Sequence, residues 1–144
     1  LSRSIVGREI GIVSPKCLSS AAYRFSCQLN ENSAKFARSA EVPEMNHNEI
    51  VAWTSKDSQG SALLLLSCEE IHPRVRSRIE WILSQVEATP TWVIECEGES
   101  LLERLLYAAH VTDWVSIGLA LLSGEDPSEM PAIESLKLHL ANIQ

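Results

Sequence analysis

Apolar positions change period along this chain. Ile10–Val13 is a short β-branched run closed by Ser14-Pro15, which predicts a buried strand. Leu18, Ala22, Phe25 and Leu29 then recur at helical spacing, with Ser19 and Ser20 near the start. This helix is expected to fade around Asn30-Glu31-Asn32, because Asn is a poor interior helix residue. Residues 37–53 show neither period and read as a loop leading into a short extended segment at Ile50, Val51 and Trp53. Thr54–Ser61 is a polar connector, and Ala62–Ser67 is a second buried strand. Ile71, Val75, Ile79, Ile82, Leu83 and Val86 predict a helix from about Glu69, with Pro73 in its first turn. Thr91–Ile94 is a third strand. Two helices follow, one marked by Leu101–Ala109 and a more apolar one at Val111–Leu122, stopped by Gly124. Ile133, Leu136, Leu140 and Ile143 mark a last helix with Pro131 in its first turn.

Strands alternating with helices imply an α/β layer structure with a largely parallel, helix-covered sheet. Ligands of such sheets bind beyond the carboxyl ends of the strands, which directs attention to the loops after Val13, Ser67 and Ile94. The length, 144 residues, suits a single domain with its own core. The first residue is Leu1, which suggests a piece of a longer chain.

The net charge of −7 argues against a nucleic-acid or anionic-membrane binder, since both need a positive field. The apolar run Ala62–Leu66 is far too short to span a bilayer. Cys17, Cys27, Cys68 and Cys96 form no CxxC pair and have no His at zinc spacing. Cys68 and Cys96 end strand-like runs and read as small buried hydrophobes, consistent with a reducing, cytoplasmic setting.

Two constellations are candidates for chemistry. Asn30-Glu31-Asn32 places a carboxylate against the negative end of a helix, a mildly unfavourable position that hints at another purpose. Pro43-Glu44-Met45-Asn46-His47-Asn48-Glu49-Ile50 holds an imidazole between amides and acids, suited to acid/base work near neutral pH. Glu44 and His47 have the E-x-x-H spacing of di-iron helices. Pro43 and the neighbouring Asn residues oppose a helix there, and no second E-x-x-H exists, so no metal is expected. Thr54, Ser55, Ser58, Gly60 and Ser61 lack the spacing of a phosphate loop, and no nucleotide motif is present. His72, His110 and His139 lie in helical stretches without a charged constellation and read as structural.

The segments Gln28–Lys35 and Pro43–Trp53, followed by Thr112–Leu122, Asp126-Pro127-Ser128 and Ile133–Lys137, resemble the carboxyl-terminal half of bifunctional phosphoglucose/phosphomannose isomerases. The paired NEN…PExNHNEI signature is the specific part, and the resemblance runs from about Ile10 to the C-terminus. It implies a sugar isomerase (SIS) domain, a three-layer α/β/α sandwich with a mostly parallel central sheet, residues 1–144, forming the carboxyl-terminal half of a two-domain enzyme. The implied reaction interconverts glucose 6-phosphate and fructose 6-phosphate, with mannose 6-phosphate also accepted, through a cis-enediolate and without a cofactor. By motif position Glu31 matches the base, and His47, sixteen residues later, matches the ring-opening residue. Lys137 matches the lysine near the ring oxygen and O1, and Asn32, Asn48 and Ser128 are the accompanying substrate-binding candidates. The phosphate loop of such enzymes lies in an amino-terminal SIS domain. They are dimers in which the ring-opening His comes from the neighbouring subunit. Gly118 and Ser128 depart from the family pattern, which more often has a larger residue and Thr at these positions. A non-catalytic sugar-phosphate sensor and a dimerisation domain are the alternative roles.

Overall fold

A computed structural model describes residues 1–86 and 89–143. The helices are α1 (Ser2–Ile5), α2 (Ser19–Ser33), α3 (Glu49–Trp53), α4 (Pro73–Gln85), α5 (Leu101–Ser123) and α6 (Pro131–Ala141). The strands are β1 (Glu9–Pro15), β2 (Ala37–Val42), β3 (Ser61–Ser67) and β4 (Thr91–Glu95). Short 3-10 turns cover Lys16–Leu18, Glu44–His47 and Lys56–Gly60. The strands form one parallel sheet in the order β2-β1-β3-β4, with Val13 beside Ala40 on one side and Leu65 on the other.

The alternation of side chains along β1 and β3 separates two cores. Ile10, Ile12, Leu64 and Leu66 point to one face, where α2 and α5 supply Phe25, Leu29, Ala108, Val115 and Leu119. Val13, Leu63 and Leu65 point to the other, against Met45, Ile50, Trp53, Ile79 and Ile82. The result is the expected three-layer α/β/α sandwich. Each fully buried Leu of the Leu63–Leu66 run contributes about 1.5–3 kcal/mol of transfer free energy. All four cysteines are unbridged, and Cys68 and Cys96 are buried as expected.

Several elements differ from the sequence reading. Residues 37–42 are a strand rather than a loop. β2 is an edge strand whose Arg38, Ser39 and Glu41 are only partly covered or exposed, so it carries no apolar run, and pairing with β1 recruits it. Ile50, Val51 and Trp53 lie in a short helix, not an extended segment. Ile50 and Trp53, three residues apart, bury one face of it while Val51 is exposed. The predicted helices at 101–109 and 111–122 are one helix. It begins in a capping box, Ser100 with Glu103, and ends at Gly124 in the left-handed region. Helix α4 begins at Pro73, where the His72 imidazole accepts a hydrogen bond from the Arg74 amide; the Glu69–Ile71 segment precedes it.

Helix α5 is long and apolar enough to cross a membrane. Here it packs against α2 and α1 and carries the ion-paired residues Arg104 and Asp113. Gly118 does not break it. The missing side chain admits α1, because a Cβ there would lie 2.8 Å from Ser2 Oγ, which donates to the Val115 carbonyl. The expected apolar stripe of α6 also behaves differently, since no residue of α6 is buried.

Candidate functional site

Helix α2 continues through Ser33 and ends at Ala34 in the left-handed region, so Glu31 sits in its last turn. Asn30 locks this end of the helix to the start of β2. Its side-chain amide donates to the Ala37 carbonyl at 3.1 Å, and its oxygen accepts from the Ala37 amide at 3.0 Å. Asn32 ties the same turn to α5, donating to Ser116 Oγ at 2.9 Å and to Gln28 Oε1 at 3.3 Å. Glu31 is exposed and accepts a long hydrogen bond from Gln28 at 3.4 Å.

Glu31 lines a cleft of about 390 Å³ between the end of α2 and the connection from α5 into α6. Glu125, Glu129 and Ile133 line it too. Lys137 is one turn beyond Ile133 on the same helical face, exposed, and does not itself line the cleft. Ser128 closes the turn into α6. Its amide and hydroxyl both donate to Asp126 Oδ1, at 2.8 and 2.6 Å, and these bonds hold the Asp126 carboxyl below its ordinary pKa. Ser128 therefore lies beside the cleft rather than in its lining.

His47 is elsewhere. It ends the 3-10 turn after the cis Val42–Pro43 bond, anchored by buried Met45, and it is exposed. Asn48 caps α3 by accepting from the Glu49 amide at 2.5 Å. Asn30 fixes the end of α2 to the first residue of β2, and the His47 turn follows the last. Glu31 and His47 thus stand at opposite ends of a six-residue strand, which spans about 17 Å. Glu31, Asn32, Ser128 and the base of the Lys137 helix share one region of the molecule; His47 and Asn48 share another. The Glu31 cleft is also at the amino ends of the strands, not the carboxyl ends that the sheet rule favours.

Arg24 is a cation near the site that the sequence reading passed over. It makes a bidentate ion pair with Asp113 of α5. Its hydrogen bond to Asp113 raises its pKa further above the ordinary value, and the negative charge of Glu31 adds to the effect. The sequence does contain the signal, because positions 24 and 31 are two turns apart on one helical face. Beyond β2, the carboxylates, hydroxyls and Asn48 amide around the carboxyl ends of β1 and β2 frame a second cavity of about 510 Å³. Among the described residues no group of three or more His, Cys, Asp or Glu side chains is arranged to hold a metal ion.

The comparisons with known proteins agree with this architecture. The family described as "Bacterial phospho-glucose isomerase C-terminal SIS domain" matches residues 1–140. The bifunctional phosphoglucose/phosphomannose isomerase of Aquifex aeolicus is 38% identical over 123 residues, covering 83% of this chain and 38% of that protein. Its namesake from Thermoplasma acidophilum is 32% identical over 122 residues, covering 85% and 39%. The chain thus spans about two fifths of the length of these relatives. Among solved structures, a glucose-6-phosphate isomerase like protein from Thermus thermophilus superposes with TM-score 0.73 at 15% identity, over 92% of this chain and 45% of that one. A putative phosphosugar isomerase from Salmonella typhimurium gives 0.71 at 14% identity, over 88% and 40%. At these identities the structural matches speak for the fold, while the sequence matches speak for kinship: the chain belongs to the family of bacterial phospho-glucose isomerase C-terminal SIS domains.

Proposed function

We propose that this chain is the carboxyl-terminal domain of a two-domain, dimeric, cytoplasmic isomerase acting on hexose 6-phosphates. It interconverts glucose 6-phosphate and fructose 6-phosphate and also accepts mannose 6-phosphate. The observation that carries this reading is the cleft joining Glu31 to the segment that leads into the Lys137 helix. A carboxylate there can take the C2 proton of the open-chain aldose and return it to C1 of the cis-enediolate. The Lys137 ammonium stabilises charge on the enediolate oxygens, an effect worth on the order of 3 kcal/mol. His47 opens the sugar ring in the site of the neighbouring subunit.

The lining of the cleft also indicates what must come from outside the domain. Glu125 and Glu129 add negative charge beside Glu31, which opposes a phosphate dianion. This fits the resemblance, which puts the phosphate anchor in an amino-terminal SIS domain. The four unbridged cysteines fit the reducing compartment of this assignment.

The test is Glu31→Gln in the full-length enzyme. The kcat for glucose 6-phosphate is expected to fall at least about 10³-fold with the thermal midpoint unchanged. A kcat within about tenfold of wild type would remove Glu31 from the role of base.

A further inference from the structure

Three of the four cysteines converge where β1, β3 and β4 end, and the isomerisation derived above uses none of them. Cys17 follows β1, Cys68 follows β3 and Cys96 follows β4. The β3–β4 ladder runs one step past the pair Ser67 and Glu95, because the Cys96 amide donates to the Ser67 carbonyl at 2.7 Å. Cys68 and Cys96 are therefore side by side on neighbouring strands, and both enter the core covered by α2 and α5. Cys17 packs against the same core from the 3-10 turn Lys16–Leu18. Burial raises the Cys68 thiol above its ordinary pKa, and Cys17 adds to the effect as a charge and as a hydrogen-bonding neighbour. Burial likewise raises Cys96, which also feels the charges of Cys68 and Cys17. Cys27, midway along α2, stands outside this group.

Exposure separates the roles of these thiols. Cys68 and Cys96 are buried, whereas Cys17 is half-buried and open to solvent. A solvent-facing thiol beside a buried one supplies the two parts of a reversible disulfide, the sulfur that meets the oxidant and the sulfur that resolves it. We infer that Cys17 and Cys68 form an oxidation site, at which hydrogen peroxide converts the pair into a disulfide. The Cys17 sulfur attacks the peroxide; an S–O bond forms, the O–O bond breaks, and the departing hydroxide leaves as water with the thiol proton. The Cys68 sulfur then attacks the Cys17 sulfenic acid; the S–S bond forms, the S–O bond breaks, and the hydroxyl leaves as water with the Cys68 proton. Two electrons pass from the thiols to the peroxide, and a dithiol reductant returns them. A transient bridge of this kind is compatible with a reducing compartment. It ties the turn that opens α2, the helix carrying Glu31, to the end of β3.

Peptide mapping of the full-length enzyme tests this. Arg24, Lys35 and Arg74 stand between the cysteines, so each falls in its own tryptic peptide. The native protein is treated with a few equivalents of hydrogen peroxide, its remaining thiols are alkylated under denaturing conditions, and the digest is read by mass spectrometry. The expected result is a cross-linked peptide pair joining Cys17 to Cys68 as the main oxidised species among these four residues. Dithiothreitol should remove it, and Cys27 should stay alkylated throughout. Cys17→Ser, a substitution at the half-buried position, should cut the oxidation of Cys68 at least about tenfold, because the buried thiol no longer has a partner that meets the oxidant. The proposal is overturned if Cys17 bridges mainly to Cys27, to Cys96 or to another chain. It is equally overturned if all four thiols stay free at peroxide levels that oxidise free cysteine, or if Cys68 is oxidised as fast in Cys17→Ser as in the wild type.

Discussion

Glu31 and His47 stand beyond opposite ends of β2, with about 17 Å of extended chain between them. This separation fits the proposal that the two residues serve different sites. In the proposed dimer each site takes its base from one chain and its imidazole from the other.

Subunit mixing checks this arrangement. Glu31→Gln and His47→Ala full-length enzymes should each be nearly inactive. Denatured together and refolded, they should recover about a quarter of wild-type activity, because half of the dimers then hold one intact site. Activity that stays at the level of the separate variants would place both residues in a single subunit's site.

Gly11 sits mid-strand in β1 beneath the Trp53 ring, and a Cβ at this position would overlap that ring. Trp53 is in turn held by its indole N–H to Glu49 at 3.3 Å and by the Arg38 guanidinium 5.5 Å above the ring. Gly11→Ala should lower stability by about 1–3 kcal/mol, the usual cost of overpacking. Urea unfolding measures it, and an unchanged midpoint would mean that α3 is not seated as described.

Burial pushes the Cys96 thiol up to about 12 and raises Cys68 as well. The unfolded chain loses these protons near pH 9, whereas the folded chain keeps them. Stability is thus fully present below about pH 9 and declines as the pH climbs toward 12. The thermal midpoint should fall as the pH is raised from about 9 to about 12, and Cys96→Val should make that decline shallower. Parallel declines in the two proteins would assign the alkaline loss to other groups.

Asn30 bridges both backbone groups of Ala37 and also donates to the Ser26 carbonyl at 2.8 Å. Asn30→Ala should cost about 1–2 kcal/mol by the ordinary net worth of such bonds. Hydrogen exchange at Ala37 should accelerate more than at Leu64, where no bond is lost. Equal protection at both amides in the variant and wild type would show that the bridge is not holding the end of α2.

Legibility followed burial. β1 and β3 lie between two helical layers, so their apolar runs announced them. β2 is an edge strand of mixed polarity, and only its pairing with β1 makes it a strand. The β-branched Ile50 and Val51 suggested extension, yet the contacts of Ile50 and Trp53 with the lower core select a helix. The split expected within α5 came from a change of pattern, the apolar stripe of Leu101–Ala109 giving way to the more apolar Val111–Leu122. Thr112 fits mid-helix because its hydroxyl bonds back to the Ala109 carbonyl at 3.2 Å. Glu31 carried only a faint signal of its own, a carboxylate at the wrong end of a helix, and its role rested on motif resemblance. Arg24 escaped because its partner, Asp113, is 89 residues away in the chain.

Helix α6 contributes nothing to the interior, although it carries Lys137 and apolar residues on several sides. The domain core thus closes without burying any residue of α6. Under the proposed function, the Lys137 ammonium stands on a helix whose exposed apolar residues leave a surface for the rest of the enzyme to settle against.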